Sequence, residues 1–171
     1  MKKNIFKGRY TAITKDSFVV FLVGMRVNQW WAAHKWWPVF KAMKNMLDDF
    51  NRNPDKGMLS AVIRFSWREI SVTSYWKSYD QLENYARMPT SSHLQPWKNF
   101  NKAIGATGSV GIWHETYLIA ERDYECVYVN MPVTGLAKAK ITRFLKAEGV
   151  RETSRLRIGR GKNRPAVPTP K

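Results

Sequence analysis

Phe18-Val19-Val20-Phe21-Leu22-Val23-Gly24-Met25-Arg26-Val27 is apolar without a break from Phe18 to Met25. A strand with one wet face alternates apolar and polar residues, so an unbroken run of this length predicts a strand covered on both faces, in the middle of a sheet. It is far too short to span a bilayer. Arg26 ends the run, where a guanidinium reaches either a pocket rim or solvent.

C-terminal to this strand, Asn28 is placed to cap a helix. Two arrangements fit Trp30 to Trp37: a helix from about residue 29 kinked at Pro38, or an aromatic loop followed by a helix starting at Pro38. Beyond Pro38, Val39, Ala42, Met43, Met46, Leu47 and Phe50 fall on one helical stripe. These methionines read as core, or as a flexible wall for a lipophilic ligand. Asn53 to Gly57 is a turn. Met58 to Trp67 and Ile70 to Trp76 read as a hairpin joined at Arg68-Glu69. Arg64, mid-strand among apolar residues, must face water or an anion.

Ser78-Tyr79-Asp80-Gln81 fits a capping box opening a short helix that Met88-Pro89 ends. Ser92 to Gln95 fits a second, with Leu94, Trp97, Phe100 and Ile104 as its buried stripe. His93 then sits at a helix N-terminus, where the backbone dipole keeps an imidazole neutral and available as base or ligand. Ser109 to Tyr117 is a strand after the turn at Gly105 to Gly108. Its alternation sets Val110, Ile112, His114 and Thr116 on one face and Gly111, Trp113, Glu115 and Tyr117 on the other. Tyr124 to Met131 is a further strand, Gly135 to about Ala147 a short basic segment with helical character, and Gly149 onward a tail expected to be disordered.

The element order is strand, helix, strand, strand, helix, strand, strand. It predicts an α+β fold: the ferredoxin-like βαββαβ plan with an added C-terminal strand. Its boundaries are a basic arm at 1–16, one domain at 17–148 and a basic tail at 149–171. Helices cover one sheet face, and a second copy of the chain is the simplest cover for the other, which predicts a homodimer.

The 171 residues carry a net charge of +16. Residues 151–171 hold seven basic residues and one acid, and the first nine residues hold four basic ones, so the ends supply ten of the sixteen charges. Such tails make weak, non-specific contacts with anions rather than specific nucleic-acid sites. Cys126 is the one cysteine, so a disulfide within the chain and a cysteine-ligated zinc are excluded. With no secretory signal and no transmembrane segment, the expected location is cytoplasmic. Glycine-rich dinucleotide and Walker loops and the Gly-Xaa-Ser-Xaa-Gly elbow are absent. His34, His93 and His114 match no metal-binding spacing.

Several motifs recur together. Asn28, Trp36-Trp37-Pro38, Ala42-Met43 and Met46-Leu47 stand in the first half. Tyr75-Trp76-Lys77-Ser78 with Leu82 and Tyr85-Ala86-Arg87, His93 with Trp97 and Phe100-Asn101, Gly111 to Tyr117, and Tyr128 to Pro132 with Gly135-Leu136 follow. Over roughly residues 15–140 this pattern resembles the small bacterial and fungal monooxygenase-like proteins related to the fumagillin-pathway monooxygenase, long known as a domain of unknown function. The resemblance implies a dimeric α/β barrel, a superfamily that includes cofactor-free monooxygenases, haem-degrading enzymes, aldoxime dehydratases and chlorite dismutases. It marks Arg26, Asn28, His93, His114 and Glu115 as candidate catalytic residues.

The first functional reading is therefore a monooxygenase-like enzyme of secondary metabolism acting on a lipophilic or aromatic small molecule. Trp30, Trp37, Met43, Trp97 and Trp113 would line an apolar pocket. His114 or His93 would act as base, and Arg26 or Asn28 would steady the anion formed. The second is a haem enzyme, with His114 or His93 as axial ligand and Arg26 or Arg64 pairing with a propionate. The third is a non-enzymatic basic dimeric binding module.

Overall fold

The computed structural model describes residues 4–52, 56–87, 108–121 and 123–158, and the side chains of residues 42, 43, 46, 47, 49–52 and 150 fall outside that description. The helix expected after Ser92, the methionine stripe and the turn expected at Asn53 to Gly57 thus lie wholly or partly outside it, as do His93, Trp97 and the side chain of Met43. The chain divides into two compact units, one of residues 18–118 and one formed by 1–17 with 119–171.

The first unit contains β1′s successor in the chain, so the labels begin in the second: β1 is Phe6–Ile13. In unit 18–118 follow β2 (Phe18–Val27), α1 (Ala33–Arg52), β3 (Met58–Phe65), β4 (Glu69–Trp76), α2 (Tyr79–Arg87) and β5 (Val110–Ile119). The four strands form one sheet in the order β3-β4-β2-β5, the ferredoxin-like plan. β2 is an inner strand, as its unbroken apolar run predicts. It pairs antiparallel with β4 from Val19↔Trp76 to Arg26↔Glu69, and β4 pairs antiparallel with β3.

Alternation assigns the two faces. Val19, Met25 and Val27 of β2 point to the helices. Val19 packs with Trp76, Leu82 and Tyr85, and Met25 and Val27 pack with Val39 and Val110. By register, Val20, Leu22, Gly24 and Arg26 occupy the opposite face together with Glu69, Ser71, Thr73 and Tyr75.

α1 runs through Pro38, as in the first of the two arrangements read from the sequence, but starts later. A turn brings Ala32 N–H to Gln29 C=O (3.2 Å), and the helix then starts at Ala33 with Pro38 inside it. Pro38 is the sixth helical residue, so only the bond to the His34 carbonyl is lost, near the end where donors are unpaired anyway. Asn28 is not the cap. Its side-chain amide donates to Gly108 C=O (3.0 Å), tying the end of β2 to the approach to β5. Ser78 does cap α2: its hydroxyl accepts from Gln81 N–H at 3.2 Å.

The other unit is a three-stranded sheet ordered β6-β1-β7, with β6 at Tyr128–Met131 and β7 at Arg143–Lys146. The N-terminal segment, expected to be a basic arm, supplies the central strand. The added C-terminal strand pairs here with β1 rather than with the four-stranded sheet. It starts at Tyr128 rather than Tyr124 because side chains occupy the end of β1. Thr14 N–H donates to the Tyr124 hydroxyl at 2.6 Å, and the Cys126 thiol donates to Ala12 C=O at 3.3 Å.

The basic segment after Gly135 is a 3-10 turn at Gly135–Lys138 followed by β7 rather than a helix. Phe144 stacks on Tyr10 (4.9 Å between centroids, 14° between planes), and that contact overrides local helical preference. Residues 149–158 of the tail, expected to be disordered, are structured. A 3-10 turn at Gly149–Arg151 leads into α3 (Ser154–Ile158). Arg157, its side chain only 5% exposed, pairs with Glu125 and donates to Glu152 C=O at 2.7 Å. At least one tail arginine is thus committed inside the fold instead of being free for anions.

Candidate functional site

The sheet separates the residues singled out by sequence. His114 stands on the helix-facing side of β5, in step with Val110 and Ile112, and its ring lies 5.9 Å from that of Phe21. The opposite face carries Arg26, Trp113 and Glu115. Trp113 reaches from β5 across β2 to β4: its indole lies over Gly24, and its N–H donates to Glu69 Oε1 at 3.0 Å. Glu115 accepts from the Tyr117 hydroxyl at 2.7 Å. That hydrogen bond and the carboxylate's charge push the Tyr117 phenol above its ordinary pKa, although the side chain is exposed.

Arg26 is exposed on this same face, opposite Glu69 in register. Arg64 is two strands away, donating to Thr73 Oγ1 at 2.7 Å. Its register through Ser71 to Gly24 puts it on the face of Arg26, away from His114. A base at His114 and an anion-steadying Arg26 therefore do not converge within one chain. A haem ligated by His114 would likewise find neither Arg26 nor Arg64 at its propionates, so that arrangement does not fit these residues. Among the described residues no cluster of His, Cys, Asp or Glu could hold a metal ion.

Trp30 and Trp37, read from sequence as pocket walls, belong to an aromatic ribbon at the end of the sheet. Trp67–Trp30 (6.0 Å), Trp30–Trp36 (6.3 Å), Trp36–Trp37 (6.0 Å) and Trp37–Phe40 (5.5 Å) follow one another, three of them edge-to-face. The Trp36 indole N–H donates to Trp30 C=O at 3.2 Å, and Lys35 Nζ donates to Ser109 Oγ at 3.3 Å, which fixes the start of α1 against β5. None of these ring contacts includes His114.

Three residues escaped the sequence reading: Phe21, which flanks His114, Glu69, and Gly24. Gly24 had a signal, since a glycine inside an apolar strand marks a close approach of something bulky. Glu69 was read as turn but is the first residue of β4.

A family profile described as Monooxygenase af470-like matches residues 18–136. The chain is similar to Monooxygenase af470 of Aspergillus fumigatus, 28% identical over 148 residues that cover 81% of this chain and 52% of that protein. Among solved structures it is similar to an aldoxime dehydratase, with a TM-score of 0.64 and 14% identity over 81% of this chain and 45% of the other. A weaker likeness, TM-score 0.42 and 12% identity, is to SnoaB, a cofactor-independent oxygenase from Streptomyces nogalater, over 59% of this chain and 91% of that one. The chain thus spans about half the length of the curated relative and under half that of the aldoxime dehydratase.

Proposed function

The chain belongs to the monooxygenase af470-like family, and from that premise we propose that it is a monooxygenase-like enzyme of secondary metabolism that oxidises a lipophilic or aromatic small molecule. The observation that supports this reading is that His114, exposed on the helix-facing side of β5, has its ring 5.9 Å from that of Phe21. An exposed imidazole that borders an aromatic ring can take a proton from an acidic C–H of an aromatic substrate bound over that side of the sheet. The resulting carbanion is the electron donor that dioxygen requires, so the chain itself needs only to hold the substrate, supply the base and keep water out. Arg26 and Asn28 have no part in this step. Asn28 serves the β2–β5 junction, and Arg26 lies on the far face.

The working form in this reading is a cytoplasmic homodimer. Val20, Leu22, Val62 and Tyr75 leave the sheet face away from the helices partly apolar, and a second copy is the cover that suits it. Oxygen uptake by the purified protein with lipophilic aromatic substrates bearing an acidic C–H tests the proposal. His114→Ala is expected to abolish uptake while the circular dichroism spectrum and melting curve stay those of the parent. Unchanged turnover in that variant would remove His114 from the chemistry. A hemin titration distinguishes the haem reading: a Soret band that His114→Ala removes would replace the cofactor-free mechanism.

A further inference from the structure

Five of the eight tryptophans, Trp30, Trp31, Trp36, Trp37 and Trp67, gather at one end of the four-stranded sheet. The turn between β3 and β4 is drawn to the end of β2 by Val27 N–H donating to Arg68 C=O (2.8 Å), which sets Trp67 against Trp30 at the start of the ribbon. Trp36 packs on the core of Met25, Val27, Val39 and Val110, but the rest of the cluster stands out from it. Trp67 is 83% exposed, Trp31 81% and Trp37 56%, and Phe65 on the neighbouring strand is 69% exposed. Leaving so much aromatic surface in water is costly, and patches of this kind mark a binding surface.

Exposed cations adjoin it in the chain. From Phe18 to Leu47 there is no acidic residue in thirty, while Arg26, Lys35, Lys41 and Lys44 are present. Arg68, adjacent to Trp67, is exposed, and so are Lys41 and Arg26. Glu69, the acid next in the chain, is half-buried and occupied by the Trp113 indole on the far face. Protein interfaces use tryptophan as well, but they are depleted of lysine, whereas Lys41 follows Trp37 by one helical turn and is exposed. Tryptophan, with an apolar ring and one N–H, is the side chain that settles at the boundary between lipid headgroups and acyl chains. Rimmed by cations, it suits a surface of negative charge.

We propose that this tryptophan ribbon docks the protein on the surface of an anionic phospholipid bilayer, with Trp31 and Trp67 entering the headgroup boundary and Arg68 and Lys41 facing lipid phosphates. The contact is peripheral: no helix among the described residues is long and apolar enough to cross a membrane. It is independent of the oxygenase reading, since it needs no turnover.

The test uses the full chain and vesicles of phosphatidylcholine with or without phosphatidylglycerol. Co-sedimentation with the phosphatidylglycerol vesicles is expected, weakening as salt is raised, together with quenching of tryptophan fluorescence by brominated lipid. Trp31→Ser with Trp67→Ser is expected to lower partitioning by about tenfold or more, with an unchanged melting curve, because both side chains are already largely in water. Absence of binding at low salt would overturn the proposal. So would wild-type partitioning by the double variant, which would assign binding to the basic ends alone. A double variant that loses self-association but keeps its vesicle binding would make the ribbon an interface between two copies, and would overturn the proposal as well.

Discussion

Alanine at position 24 would build a methyl group 2.4 Å from Cε2 and Nε1 of Trp113 and 2.7 Å from Cζ2, where ordinary contact starts near 3.4 Å. The neighbour is the rigid part of an indole, not the end of a flexible chain, so the ring must move by about 1 Å or more. That movement breaks the bond from the indole N–H to Glu69, and a hydrogen bond to a carboxylate contributes about 1.5–3 kcal/mol. Overfilling a packed site costs about 1–3 kcal/mol in itself, and the two overlap because one displacement causes both. Alanine returns about 0.5–1 kcal/mol through the smaller entropy loss of a strand residue that is not glycine. The net expectation for Gly24→Ala is about 2 kcal/mol of destabilisation, a melting temperature lower by about 4–8 °C for a chain of this size. Urea titrations of a double-mutant cycle with Trp113→Ala isolate the clash. With the indole gone, Gly24→Ala is expected to be neutral or slightly stabilising. A cost within about 0.5 kcal/mol in the parent background, or the same cost with Trp113 absent, would refute the placement of the indole over Gly24.

Other perturbations probe other parts. Arg157→Ala leaves Glu125 half-enclosed without its partner, and is expected to cost about 1–3 kcal/mol and to make residues 149–158 the first site of limited proteolysis, read by mass spectrometry. Glu115→Gln removes the charge that favours the neutral Tyr117 phenol, so tyrosine-selective NMR should show its titration midpoint falling back toward about 10. In the parent, the Tyr117–Glu115 contact is complete below that pH and lost only as pH rises through the elevated midpoint. Under the oxygenase reading, His114→Ala is expected to reduce kcat by about 10²–10⁴-fold, the usual weight of a general base, while His34→Ala, an exposed helix residue, should leave it unchanged in the same oxygen-uptake assay.

The unit of residues 18–118 was legible because periodicity carried it. An unbroken apolar run gave the inner strand, alternation put His114 and Trp113 on opposite faces, and Ser78 announced α2. The second sheet was not, because nothing local in Phe6–Ile13 or Arg143–Lys146 states that one pairs with the other. That pairing depends on Tyr10 meeting Phe144 across more than a hundred residues of chain. The candidate site was legible as a set of residue types but not as an arrangement. Arg26 and His114 look equally pocket-like in sequence, and only the strand register, Arg26 against Glu69 and Phe21 near His114, reveals that a sheet stands between them.

The place of β1 has a consequence for how the molecule is made. Residues 6–13 leave the ribosome before β2 to β7, yet their partners are Tyr128–Met131 and Arg143–Lys146. During vectorial synthesis the four-stranded unit can close on itself while β1 waits with both edges bare. Closure over so long a loop is entropically slow, and an unpaired strand is open to association with other chains. Pulse-labelled hydrogen exchange should therefore find amides of β2 and β4 protected before those of β1. A strand made before β2 is thus housed after it, so crowding of nascent chains, rather than the stability of the finished fold, would set how much of this protein reaches its native state.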